Sequence, residues 1–210
     1  MPFTPDKREY RSFGGFDTTQ NEQDDKLLLR GVPIVFNRST VLWEYDGIEY
    51  KEVIAPGALE GCDMSDFILN RNHGENDGTV YARTRNGSLR YEITPTGVSI
   101  EAELDPEDER HKNLHRDVCK GRVDKMSFSF IPRECSYDRE THTRTILKIK
   151  KLYDVSAVDF PAYNDTSLTT ARDFFSAEYA KEFKALEQAA RRRRLALALQ
   201  INEIIHNKGV

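Results

Sequence analysis

Residues 123–130 read VDKMSFSF, an order that in an extended chain puts Ser127 and Ser129 on one face and Met126, Phe128 and Phe130 on the other. Two hydroxyls aimed at one place admit two readings. A half-buried strand can turn its polar face to water, or one serine can be a nucleophile. A serine hydroxyl attacks well only when a neutral imidazole removes its proton, and the imidazole needs an acceptor behind it. The residues able to fill those roles are His73 and Asp154. His73 ends the segment DFILNRNHG just before a loop rich in Gly, Asn and Asp, and Asp154 lies within ILKIKKLYDVSAVDF. Strict alternation puts Asp154 on a strand face with Leu152, Ser156 and Val158. A carboxylate buried on so apolar a face needs a partner, which a histidine would be; at a sheet edge it needs only water. Spacing alone leaves both open.

Other constellations carry less. His111, His115 and Cys119 stand at i, i+4 and i+8 and could offer zinc ligands from one helix face. Their neighbours are Glu, Arg, Lys and Asp, as on a solvated face, and no fourth ligand follows, so no metal is expected. The run Arg191–Arg194 could meet nucleic acid or an anionic surface. No aromatic residues interleave with it, and EQAA and LALALQ on either side form helix well, which favours a solvated face or a salt-bridging partner surface over nucleic acid. Cys62, Cys119 and Cys135 make no CxxC pair, and an odd number argues against a disulfide framework. None has an evident base beside it, which argues against a cysteine nucleophile.

The elements that would position these residues follow from the patterning. The chain has 210 residues, enough for one domain and an appendage, and 35 acidic against 31 basic side chains give a formal charge of −4. No apolar run reaches membrane-spanning length, so a soluble protein of a reducing compartment is expected. Residues 1–25 are polar and glycine-punctuated and read as a flexible arm. Strands are expected in KLLLRGVPIVF, in IEYKEVIAPGAL and in the three pieces of TVYARTRNGSLRYEITPTGVSIEAEL, with hairpin turns at Asn86–Gly87 and Pro95–Gly97. DPEDERHKNLHRDVCKG reads as a helix capped by Asp105 and stopped at Gly121. The serine strand follows, then a polar loop RECSYDRETHTRT, then one or two strands closing at Pro161. Together these make a mostly β chain with helices (α+β), a closed or partly open β-barrel over 26–170. From Phe174 onward, Tyr179, Phe183, Leu186 and Ala190 recur at helical spacing, as do Leu197, Ile201, Ile204 and Ile205, so 171–210 reads as a long C-terminal helix. An apolar stripe of that length needs cover from a second copy of the chain or an assembly partner.

The segments VIAPGAL (53–59), LNRNHG (69–74), TGVSIEAEL (96–104), VDKMSFSF (123–130) and LYDVSAVDFPAYNDTSL (152–168) resemble, in order and spacing, the signatures of a known family. It is that of the prohead maturation proteases of tailed bacteriophages of the HK97 type, and the likeness covers about 27–170. The resemblance implies a serine peptidase whose β-barrel, flanked by helices, is shared with the herpesvirus capsid-maturation proteases. It puts the family's histidine on His73, its serine on Ser127 and its acid, usually Glu, on Asp154. Asp is one methylene shorter, so its strand must lie closer to His73. The family commonly has Gly where Ser129 stands, which leaves Ser129, with Ser156, to support the site. The implied substrates are the major capsid protein or scaffold, and the protease itself, inside the assembling prohead in the host cytoplasm. A homo-oligomer without cofactor or membrane is expected. The alternative is a non-catalytic scaffold or assembly module acting through the C-terminal helix. Retention of His73, Ser127 and an acid at 154 speaks for the enzyme.

Overall fold

The computed structural model describes residues 7–17, 27–75 and 78–159, with 174–178, 180–181, 184–185, 187–197 and 199 beyond them. The chain divides into two compact units, Met1–Thr170 and Ala171–Val210. The described strands of the first are β1 (Glu9–Phe16), β2 (Leu28–Val35), β3 (Thr40–Tyr45), β4 (Ile48–Ile54), β5 (Ile68–Arg71), β6 (Ala82–Arg83), β7 (Leu89–Thr94), β8 (Gly97–Glu103), β9 (Lys125–Asp138) and β10 (Thr143–Val158). One α-helix, α1 (Glu109–Cys119), lies between β8 and β9. The strands form one mixed sheet in the order β3-β4-β10-β9-β1-β2-β8-β7, with β5 on β10 and β6 on β5.

The protein is thus mostly β with few helices, but the sheet is open, which corrects the closed-barrel alternative. Its path ends at β3 and β7, and these do not pair with each other. The sheet branches instead of closing. The first part of β10 pairs in parallel with β4 through Thr143–Ile146, and the last part pairs with β5 through Asp154–Ala157. Both terminal strands leave large side chains in solvent, among them Val41, Tyr45, Tyr91 and Ile93. The apolar face of β9 (Met126, Phe128 and Phe130) is fully buried with Leu152, Val155, Ile146 and Leu69. Each such side chain stabilises the fold by about 1.5–3 kcal/mol relative to exposure.

Several local expectations are revised. Residues 9–16, read as part of a loose arm, form β1, which lies between β9 and β2. Composition misleads there because its charges are neutralised by residues far along the chain. Arg11 Nε donates to Glu52 Oε1 at 2.5 Å, and Arg144 donates to Glu9 at 2.9 and 3.0 Å and to Glu52 at 3.2 Å. All four side chains are buried. Burial pushes the Glu9 carboxyl up, but Arg144 and Arg11 outweigh it and hold it below the usual range. Asn86–Gly87 does not turn a hairpin, since β6 pairs with β5 and the 3-10 turn Thr84–Asn86 leads on to β7. Pro95 and Thr96 do join a hairpin, with Thr94 opposite Gly97. The polar stretch after the serine strand is mostly strand, for β9 and β10 pair up to Asp138 and Thr143. The helix begins later than Asp105: its N-cap is Asp108, which accepts from Arg110 N, while Asp105 caps the preceding turn through Glu107 N.

In the second unit the described residues among 174–199 are helical, and Arg191–Arg194 are all exposed. Leu197 is exposed, as are Leu195 and Leu199. Of the remaining stripe, Tyr179, Phe183, Leu186, Ile201, Ile204 and Ile205 lie outside the described residues. No helix among the described residues is long and apolar enough to cross a membrane.

Candidate active site

Adjacent strands bring the candidate residues together. Along the β9–β10 pair, Ser127 stands opposite Ser156 and Ser129 opposite Asp154. On the other side of β10, parallel β5 sets Asn70 beside Ser156 and Ile68 beside Asp154. Strand pairs share a face, so Ser127, Ser129, Asp154, Ser156 and Asn70 form one polar patch. The patch is buried, with Ser127, Ser129, Asp154 and Ser156 at 0% exposure. That removes both the reading of a strand face turned to water and that of an aspartate at a wet edge.

A bulge aims the carboxylate. Leu152 pairs with Phe130 and Asp154 with Ser129, with a register shift between them. Phe130 and Ser129 point to opposite faces, so Leu152 joins the core while Asp154 turns to the serines. Strict alternation had put both on one face.

His73 arrives on a turn that only tertiary contacts could fix. β5 ends at Arg71, and Asn72, His73 and Gly74 follow with φ of 47°, 57° and 79°. Consecutive non-glycine residues in the left-handed region are costly. Asn72 meets that cost with its side chain: Nδ2 donates to Asp159 Oδ2 at 2.8 Å, and Oδ1 accepts from Asp159 N at 3.1 Å. Arg71 Nη2 donates to Asp159 Oδ1 at 2.6 Å. The turn is thereby clamped to the residue that follows β10.

The imidazole bridges the patch. His73 Nε2 lies 2.7 Å from Ser127 Oγ, and Nδ1 lies 2.7 Å from Asp154 Oδ1. A carboxylate at Nδ1 holds the proton there and leaves Nε2 free to accept from a hydroxyl. The shorter aspartate therefore does reach the ring, because β5 and β10 are bonded neighbours. Ser156 Oγ accepts from His73 N at 3.2 Å and lies 2.9 Å from Asp154 Oδ1, with Asn70 Oδ1 also in contact. Ser129 donates to Asp154 Oδ2. Burial alone would push the Asp154 carboxyl up, but His73, Ser129 and Arg8 together hold it below the usual value.

Arg8, Tyr10 and Asn70 escaped the sequence reading. Arg8 Nε and Nη2 donate to Ser129 Oγ at 3.0 and 2.6 Å, and Nη2 also meets Asp154 Oδ2. The Tyr10 ring stands edge-on to His73, with centroids 4.6 Å apart. Asn70 lies within a motif already singled out, but nothing near the chain start marks Arg8 or Tyr10. The helix cluster is different from the solvated face expected of it: His111 and His115 are buried. His111 Nδ1 accepts from Asp105 N at 3.0 Å, and His115 Nδ1 lies 3.7 Å from Cys119 Sγ. Among the described residues no group of three or more His, Cys, Asp or Glu could hold a metal ion.

A buried hydroxyl, imidazole and carboxylate in hydrogen-bonded series is the arrangement by which serine hydrolases activate a nucleophile for acyl transfer. The family model of the caudovirus prohead serine proteases matches residues 15–181, and the chain belongs to that family. No curated protein and no solved structure matches it. Membership makes the chain a phage prohead serine protease, acting inside the assembling prohead on capsid or scaffold protein.

Proposed function

We propose that Ser127 is the nucleophile, His73 the general base and then acid, and Asp154 the group that orients and stabilises the imidazolium. The observation that carries this reading is the pair of 2.7 Å contacts on either side of the His73 ring. His73 Nε2 takes the Ser127 proton as Oγ attacks a peptide carbonyl carbon. The tetrahedral intermediate then collapses, and His73 returns the proton to the leaving amine. Water repeats the sequence on the acyl-enzyme. Ser129 and Ser156 keep the Asp154 carboxylate and the His73 turn in place. The chain's substrates are the major capsid protein or scaffold, and the protease chain itself, within the prohead in the host cytoplasm.

The catalytic unit comprises 26–170 together with β1, and 171–210 is a separate helical extension. The exposed Leu195, Leu197 and Leu199 support a self-association role for that extension. A relationship of the sheet to the herpesvirus capsid-protease barrel is part of the same proposal. The test is co-expression with the capsid protein and mass spectrometry of the products. Ser127→Ala is expected to abolish cleavage with the fold intact, by the 10⁴–10⁶-fold typical of triad loss, and Ser129→Ala to retain activity. Turnover by Ser127→Ala would end the assignment. Sedimentation velocity tests self-association, which a monomer at high concentration would exclude.

A further inference from the structure

The proposed nucleophile is already occupied. Ser127 Oγ donates to the carbonyl oxygen of Arg11 at 3.0 Å while lying 2.7 Å from His73 Nε2. A serine hydroxyl has one proton. Arg11 O and His73 Nε2 compete for it, and while Arg11 holds it the imidazole cannot take it. The same segment covers the rest of the site. Tyr10 stands against the His73 ring, and Arg8 places its guanidinium on Asp154 and Ser129 while stacking over Tyr153 at 4.7 Å. A cation on the second carboxylate oxygen draws charge away from the ring that must become positive in the transition state. Residues 9–11 run antiparallel to β9, with Tyr10 opposite Ser129 and Arg11 opposite Phe128, as an added strand would.

We propose that residues 8–12 are a built-in plug: an extended peptide that holds the substrate strand's place along β9 and keeps Ser127 latent until it is displaced. This rests on the Ser127, His73 and Asp154 assignment. The segment is an inhibitor and not a bound substrate, because its carbonyl meets Ser127 through oxygen. Attack requires Oγ at about 3–3.5 Å from the carbonyl carbon along an open trajectory, with the oxygen turned to other donors. Here the oxygen itself faces the nucleophile.

The plug has a hinge and an end. The β1–β9 register shifts between Arg11 and Gly14, so a bulge separates the residues over the site from Gly15 and Phe16, which pair with Val32 and Gly31 of β2. At Gly14 a Cβ would lie 1.5 Å from Val32 O, so the chain is pinned closely from there on. The family match begins at residue 15, at this pinned end, and leaves the plugging residues outside it. Withdrawal of Glu9 and Arg11 removes one acid and one base from the buried cluster and leaves Arg144 paired with Glu52. No isolated charge is stranded.

The test is the rate at which a fluorophosphonate serine probe labels the intact chain. Arg8 is 37% exposed and lies outside the strands, so its replacement does not threaten the fold. Arg8→Ala is expected to label at least tenfold faster than wild type, Arg8→Lys to fall between them, and Ser127→Ala not to label. Intact mass is expected to show the Arg11–Ser12 bond uncut throughout. Equal labelling of wild type and Arg8→Ala, or slower labelling of Arg8→Ala, overturns the plug while leaving Ser127 as the nucleophile. Cleavage after Arg11 overturns it by making the segment a substrate. If no variant is labelled, the catalytic assignment fails and the plug with it.

Discussion

Asp154→Asn separates an acid that serves the imidazole from one that merely fills the sheet. The carboxylate uses both oxygens: Oδ1 faces His73 Nδ1 at 2.7 Å and Ser156 Oγ at 2.9 Å, and Oδ2 takes Ser129 and Arg8. The amide replaces one oxygen with a donor. If its NH₂ faces His73, Nδ1 must become the acceptor and the proton moves to Nε2, where it cannot receive the one on Ser127. If its oxygen faces His73, the NH₂ is turned towards Arg8, and the ring still loses the negative charge that stabilises it when protonated. Arg8 favours the first orientation, since a guanidinium has only donors to offer. The expected loss is about 10³–10⁴-fold in rate, roughly 4–5.5 kcal/mol of transition-state stabilisation. It should appear in capsid-protein cleavage and in fluorophosphonate labelling alike, with little change in thermal stability relative to the loss of rate. A rate within about threefold of wild type would refute the reasoning, since no geometry of the amide preserves both tautomer and charge.

The remaining expectations concern acid, thiols and buried charge. Because the Asp154 carboxyl titrates lower in the folded chain, its share of stability is complete above the usual 3.8 and is lost as pH falls through the lower folded value. The stability gap between wild type and Asp154→Asn should therefore shrink below that pH in urea titrations, and a constant gap would remove the effect. Burial pushes the Cys62 thiol up to about 11 from the ordinary 9.0, so at pH 8 its thiolate fraction is about a hundredfold below that of a free thiol. Because a thiolate of higher pKa is also more nucleophilic, iodoacetamide should modify it about tenfold more slowly in the folded protein than in urea, and equal rates would contradict the burial. Arg144→Met leaves Glu9 and Glu52 with Arg11 alone, at a cost of about 3–5 kcal/mol and a Tm lower by roughly 6–20 °C. An unchanged Tm would show that the cluster adds nothing.

What could be read in the sequence was local; what could not was pairing. The alternation of Ser127 and Ser129 with Met126, Phe128 and Phe130 states a two-faced strand, and the structure buries both faces. The position of His73 at a strand end follows from an apolar run meeting an Asn/Gly turn, and β5 ends two residues before it. Periodicity could not show that β5 bonds in parallel to β10, and without that neighbour an aspartate has no reason to reach the ring. The bulge before Asp154 is hidden for the same cause: an extra residue leaves no mark in composition, yet it reverses the face of everything after it. β1 is the hardest case. Its sequence, EYRSFGGF, reads as an arm because its charges are satisfied by Glu52 and Arg144, its Ser12 hydroxyl by the Met126 carbonyl, and its Tyr10 ring packs on His73. A segment whose charged groups find partners in distant strands looks, from composition alone, like one that finds them in water. Such a segment can be held in the sheet and still be displaced, since water offers its polar groups the alternative that a Leu-rich strand would lack.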